Sequence, residues 1–148
     1  PFAWLSMMAD VTIDRLLRGG AVADDAEWTN LDSRLAHLMH THNILLHAAN
    51  AVLLAALLMF LAHESKLSSL WPVAVTLLWA LHPLRVEVVC WVSERKELLS
   101  AFFLLATLHC ALRKSRAWRE VLALILYAAA LFAKPVAVAF PAIILARD

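Results

Sequence analysis

Long apolar stretches alternate with short charged connections along most of this chain. A membrane-spanning helix needs about 17 to 25 mainly apolar residues, and residues 43–62 contain no Asp, Glu, Lys or Arg. Residues 69–82 end at His82-Pro83, and a proline disfavours the helical conformation in the residue before it. Residues 98–112 are followed by basic side chains. The pattern therefore predicts membrane spans at 43–62, 69–82 and 98–112.

The last apolar stretch, residues 121–146, is interrupted by a single charge, Lys134. As one helix it would rise about 39 Å, which exceeds the ~30 Å hydrocarbon core of a bilayer. Lys134-Pro135 offers a break, since a buried charge is unfavourable and proline removes a backbone donor. We therefore expect a hairpin of two short spans, 120–133 and 136–146, that turns at Lys134, with a kink at Pro141.

The first forty residues have a different pattern. Residues 1–8 are apolar, whereas residues 10–32 are rich in charge and contain the break Gly19-Gly20 and the acidic pair Asp24-Asp25, which we interpret as a solvated turn. Residues 1–40 are thus predicted to form an interfacial helix and an extramembrane loop, and 83–97 a charged segment on the membrane surface. The fold class is all-α: a polytopic membrane protein with four to five spans.

Composition supports a membrane protein. The chain is 63% apolar and 17% charged, with a mean hydropathy of +0.73, whereas soluble domains are about 45–50% apolar and about a quarter charged. This excludes a disordered tail, a disulfide scaffold and most soluble enzymes. Thirteen basic against twelve acidic residues leave no basic footprint for nucleic acid. Because the chain starts at Pro1 and stops directly after an apolar stretch, we expect it to be a piece of a longer protein.

One candidate site is a polar stripe on the first span. Its four residues are spaced by three, four and three positions, which places them on one helical face: His40, Asn43, His47 and Asn50. Such side chains either line a site near the membrane surface or form hydrogen bonds between packed helices, and spacing leaves both alternatives open. Ligation of a haem or another pigment by His47 or His109 is a third, weaker hypothesis.

A second candidate site lies between the second and third spans: His82, Arg85, Glu87, Trp91, Glu94, Arg95, Lys96 and Glu97. Glu87 and Glu94 are seven residues apart and are expected to share a helical face, while Lys96 points elsewhere. Arginine and lysine at this depth are able to bind a phosphate, and a carboxylate is able to act as a base. The alternative is a salt-bridged surface segment anchored by Trp91. For Lys134 the spacing favours snorkelling to the headgroups over phosphate contact.

Several of these segments, in this order, resemble the multi-span O-mannosyltransferases that carry tetratricopeptide repeats, and their bacterial relatives. The strongest is 82–103 (HPLRVEVVCWVSERKELLSAFF), and the others are 41–54 (THNILLHAANAVLL), 4–10 (WLSMMAD) and Ala133-Lys-Pro with Pro141. The resemblance covers most of the chain except residues 11–40.

The resemblance implies the C-type glycosyltransferase fold and a polyprenyl-phosphate sugar as donor. It makes 43–62 the second span, places 82–97 on the outer face and 113–119 inside, in agreement with the positive-inside rule. A bacterial inner membrane is the expected location. A first span, the family's acidic motif in the first outer loop and the repeats are then expected outside this chain, so we expect it to be catalytically incomplete.

The implied reaction transfers a sugar from a lipid phosphate to a hydroxyl. The candidates for phosphate binding are Arg85, Arg95, Lys96 and Lys134. His82, Glu87 and Glu94 would shape the site, and the polar stripe would line its wall. The principal base is not assigned, no metal ligand is predicted, and a divalent metal is left open. The alternative function is a non-catalytic membrane scaffold subunit of a larger complex. The expected partners are the bilayer, the polyprenyl-phosphate lipid and, for the scaffold, other membrane subunits.

Overall fold

The computed structural model describes residues 2–17, 28–66, 68–113 and 116–140, apart from the side chains of 28–34. All of the regular secondary structure in these ranges is helical. Short 3₁₀ turns occupy Val92–Glu94 and Pro135–Ala139. The α-helices are α1 (Phe2–Leu17), α2 (Trp28–Glu64), α3 (Leu70–Ala80), α4 (Pro83–Cys90), α5 (Arg95–Ala111) and α6 (Ala117–Ala133). The predicted all-α class is confirmed. Gly19-Gly20, Asp24-Asp25 and Pro141, with the end of the predicted span 136–146, lie outside the described residues.

The N-terminal region differs from the predicted short helix and loop. Helix α1 continues to Leu17, and α2 begins at Trp28 rather than at residue 43 and runs unbroken for 37 residues, about 55 Å. The charge in residues 10–32 predicts a loop, but a helix also tolerates polar and charged residues on the face that it does not pack against other helices. The part Leu35–Glu64 is long and apolar enough to cross a membrane.

The break predicted at His82-Pro83 is confirmed. Helix α3 ends at Ala80, and α4 starts at Pro83 at an angle of 56°. The His82 side chain caps α4 by accepting a hydrogen bond from the Leu84 backbone N–H at 3.3 Å. The chain then becomes extended at Trp91 (φ −88°, ψ 114°). The expected common face of Glu87 and Glu94 was therefore wrong, because this break separates the two carboxylates.

Helices α5 and α6 have 17 residues each, which corresponds to about 25 Å. Helix α5 starts at Arg95, three residues before the predicted span. The turn expected at Lys134 is present: its backbone is extended (φ −150°, ψ 125°), and the Phe140 ring stacks on Tyr127 with ring centroids 5.9 Å apart. The chain thus returns along α6, but as the 3₁₀ turn Pro135–Ala139 rather than as an α-helix.

The helices form a bundle around α5 with a polar cluster at each end. One end, here called the Arg95 end, contains Asp10, Asn43, Arg95 and Lys134, which bring together α1, α2, α5 and the turn after α6. The other, the Arg113 end, contains Glu64 of α2 with Arg113, Arg116 and Arg119. Large apolar side chains are exposed between the ends, such as Val52, Leu78 and Leu124.

Only one of the described helices meets the length and hydropathy of a span by itself, and a second is reached if α3 and α4 form one bent span. The expected four to five spans therefore stay a prediction.

Candidate functional site

Arg95 is the centre of the cluster at the Arg95 end. Its side chain is 1% exposed, and each of its three guanidine nitrogens donates a hydrogen bond inside the protein. Nε bonds Asn43 Oδ1 at 2.9 Å, Nη1 bonds Asp10 Oδ2 at 2.5 Å, and Nη2 bonds the Met39 carbonyl at 2.8 Å. These hydrogen bonds connect the first residue of α5 to both α1 and α2.

Asp10 supplies the counter-charge for Arg95. Its residue is 3% exposed, and its second oxygen accepts a hydrogen bond from His42 Nδ1 at 2.7 Å. His42 is about one-third exposed at the edge of the cluster. A buried ion pair is tolerated only when further hydrogen bonds satisfy both partners, and here both carboxylate oxygens and all three guanidine nitrogens have partners.

Asn43 joins this ion pair to the break after α4. While its oxygen accepts from Arg95, its Nδ2 donates to the carbonyls of Val89 and Trp91 at 3.1 and 3.4 Å. The last carbonyls of a helix lack partners within that helix, so a side chain from α2 satisfies the end of α4. Asn43 is completely buried and all its hydrogen-bonding groups are used, which also fixes the orientation of its amide.

The rest of the polar stripe also bonds to neighbouring helices. His47 Nε2 donates to the carbonyl of Ala80, at the end of α3, at 3.1 Å, and Asn50 Nδ2 donates to that of Leu98 in α5 at 2.9 Å. Asn43, His47 and Asn50 thus make the interhelical hydrogen bonds of the packing alternative. His40 is half-buried and makes no such bond among the described residues.

Lys96, the residue after Arg95, lines a cleft on one side of α5. This cleft, here called the Lys96 cleft, has a volume of about 720 Å³ and lies between α1, the start of α5 and the end of α6. Its other walls are mostly apolar and include Trp4, Met7, Phe132 and Pro135. The Lys96 ammonium lies 3.4 Å from Glu94 and its side chain is 44% exposed, so it remains accessible from the cleft.

Glu97 lines a second cleft, here called the His82 cleft. This opening of about 600 Å³ is formed with α3 and α4 and includes Trp79, His82 and Arg85. The Arg85 guanidinium lies 4.6 Å above the Trp79 ring, whose centroid is 5.4 Å from that of the stacked His47 ring. Glu97 also forms an ion pair with Lys134, which joins the start of α5 to the turn after α6.

The predicted site residues differ in burial and in their partners. Arg95, Asn43 and Asn50 are buried, so the expectation that Arg95 binds a phosphate was wrong: each of its guanidine nitrogens is used inside the protein. Lys134 pairs with an acid instead of simply snorkelling. Glu87 is exposed on α4 and has no ion-pair partner in the described ranges. The residues that remain accessible from the two clefts are His82, Arg85 and Lys96.

Two residues at this end were not predicted as site residues: Asp10 and His42. Asp10 lies 85 positions from Arg95, so no local spacing links them. The available signal was an acid that directly follows the apolar residues 1–8, since an ionisable residue beside such a segment requires a partner.

The described residues contain no group of three or more His, Cys, Asp or Glu able to hold a metal ion. His47 and His109 each contact a backbone carbonyl, of Ala80 and Leu105 respectively. A haem iron bound through His47 Nε2 would displace the first of these bonds. Comparison of the chain with protein-family models, curated proteins and solved structures finds no match.

Proposed function

We propose that this chain is part of a multi-pass membrane glycosyltransferase that transfers a sugar from a polyprenyl phosphate to an acceptor hydroxyl. The observation that carries the proposal is the Lys96 cleft: a mostly apolar cleft with a partly exposed ammonium in its lining, at one end of a bundle with an apolar exterior. A polyprenyl phosphate has the matching chemistry, with one anionic group at the end of a long apolar chain.

The multi-pass arrangement is part of this proposal. Helix α2 is long enough to span by itself, and α5 and α6, at about 25 Å each, are within the range that a locally thinned bilayer accommodates. Exposed Leu124, Ile125 and Phe132 on α6 would otherwise face water, where large apolar patches are rare. A polar cluster at each end fits two membrane surfaces.

In the proposed arrangement the network around Arg95 positions the site and does not bind the donor. It fixes the first turn of α5, and this turn directs Lys96 into one cleft and Glu97 into the other. We assign the donor phosphate to Lys96 and the polar part of the substrates to the His82 cleft, where Arg85 and His82 are donors. Cations preorganised against a leaving phosphate stabilise the charge that develops during transfer.

Donor binding can be tested without catalysis. The chain is purified in detergent micelles and labelled with a photoreactive polyprenyl phosphate, and unlabelled lipids compete. We expect polyprenyl phosphate to compete at least tenfold better than the neutral polyprenol of equal length, because only the former has an anion for Lys96. Lys96→Gln should reduce labelling about tenfold, and Trp4→Ala, which removes an apolar wall, should reduce it less.

The matched control is Lys66→Gln, which removes one exposed lysine at the opposite end of α2 and should leave labelling unchanged. Equal competition by the polyprenol, or equal losses in Lys96→Gln and Lys66→Gln, would show that the micelle rather than the cleft recruits the probe. Either result would contradict the proposed donor site.

The second candidate is a non-catalytic scaffold. It is favoured by the hydrogen bonds that Arg95, Asp10 and Asn43 make with one another inside the bundle, because such a network stabilises the fold whether or not a substrate binds. A scaffold predicts that Lys96→Gln and Arg85→Gln have no effect on polyprenyl-phosphate labelling, whereas Arg95→Met dissociates partner proteins that copurify with the intact chain.

A further inference from the structure

The Arg113 end contains a cleft that the proposed transferase does not use. It has a volume of about 780 Å³ and lies between the end of α2, the end of α5 and the start of α6. Here it is called the arginine cleft, after the basic side chains in its lining: Arg113, Arg116 and Arg119. The end of α2 supplies the opposite wall, with Phe60, Leu61, Glu64 and Ser65.

The charge in this cleft is unbalanced. Arg113 and Arg116 are exposed, and neither has an ion-pair partner within the described part of the chain. Arg119 lies 5.2 Å above the Trp118 ring. The acids nearby are Glu64 in this lining and Glu120 in that of the adjoining cleft, so the exposed charges available to a ligand are those of Arg113 and Arg116. At the Arg95 end, by contrast, each of the three nitrogens of the buried guanidinium has a partner within the protein.

An apolar cleft continues from the arginine cleft. It has a volume of about 460 Å³, lies between α5 and α6, and shares Arg113 and Arg119 with its neighbour. The remaining lining contains one acid, Glu120, and is otherwise mostly apolar, with Ala123, Leu124 and Tyr127 among its residues. A ligand that fills both clefts therefore needs an anionic group beside an apolar chain. A small soluble anion would leave the apolar cleft empty and fits less well.

We propose that the arginine cleft binds the headgroup of an anionic membrane phospholipid, with an acyl chain in the adjoining apolar cleft. Arginine binds phosphate oxygens through two parallel hydrogen bonds, and basic pockets between helices at a membrane surface suit anionic headgroups. Trp118, which is more than half exposed, has the position of an interfacial anchor. The proposal is independent of the donor site at the other end.

The test measures lipid binding to the chain in detergent micelles by native mass spectrometry. We expect dioleoylphosphatidylglycerol to bind at least tenfold more tightly than dioleoylphosphatidylcholine, and the double variant Arg113→Gln/Arg116→Gln to lose at least tenfold for the former only. The matched control is Arg15→Gln/Lys66→Gln, which removes the same charge from exposed positions outside the lining of either cleft. It should lose less than threefold.

Three results would overturn the proposal. Equal losses in the two double variants would show a diffuse attraction without a site. Displacement of the lipid by glycerol 3-phosphate at equal concentration would identify a soluble phosphate as the ligand. Equal affinity for dihexanoyl- and dioleoylphosphatidylglycerol would show that the apolar cleft takes no acyl chain. Thermal unfolding of each variant, measured without added lipid, separates loss of binding from loss of fold.

Discussion

The two ends of the bundle use arginine in opposite ways. At the Arg95 end one guanidinium is buried, with Asp10, Asn43 and a backbone carbonyl as its partners. At the Arg113 end, Arg113 and Arg116 are exposed in an open cleft. A count of charges treats these arginines alike. The comparison shows that hydrogen-bond and ion-pair partners within the protein decide the role of an arginine. An arginine with such partners stabilises the fold, and one without them is available to a ligand.

The largest expected difference is in stability. Arg95→Met leaves the Asp10 carboxylate buried without its counter-charge, which should lower the free energy of unfolding by about 3–5 kcal/mol. The matched change at the other end, Arg113→Met, should alter it by about 0.5 kcal/mol or less, since the side chain is exposed. Unfolding by SDS titration in mixed micelles measures both. Equal effects would remove the distinction between the two ends.

The two buried asparagines of α2 sharpen the comparison within the Arg95 end. Asn43→Leu removes a hydrogen bond to a charged group, which contributes about 1.5–3 kcal/mol, and also the partners of two carbonyls. Asn50→Leu removes a single bond of about 1 kcal/mol, and Asn50 Oδ1 already lacks a partner in the described structure. The same titration should show the larger loss for Asn43→Leu. A larger loss for Asn50→Leu would contradict the central role of Asn43 in the network around Arg95.

The smallest of these effects concerns the pair of Glu97 and Lys134. Both side chains are about one-third exposed, so Glu97→Gln should cost less than about 1 kcal/mol. Because salt screens exposed charges, this loss should disappear at high ionic strength, whereas that of Arg95→Met should persist. Unfolding measured at low and at high salt distinguishes them. A salt-resistant loss in Glu97→Gln would mean that this pair also belongs to the buried network.

The sequence predicted those features that depend on local chemistry. Pro83 and Pro135 marked the end of α3 and the turn at Lys134, and the apolar stretches marked α5 and α6. The extent of α1 and α2 was missed because polar and charged residues were interpreted as loop, although helical conformation does not require an apolar sequence.

The candidate site was predicted only in part. The resemblance and the charge pattern indicated Arg95 and Asn43, but not that they contact each other and Asp10, because 52 and 85 positions separate these pairs. Burial depends on such distant contacts, and it changes Arg95 from a phosphate ligand into a positioning residue. The resemblance itself, and the transferase function that it implies, remain proposals.

The most direct test of this account is a double-mutant cycle on Asp10 and Arg95. Asp10→Leu and Arg95→Met each leave one buried charge without its partner, whereas the double variant leaves none. We predict that the loss in unfolding free energy of the double variant is smaller than the sum of the single losses by about 2 kcal/mol. Additive losses, within about 0.5 kcal/mol, would contradict the claim that these two residues form the buried ion pair of the Arg95 end.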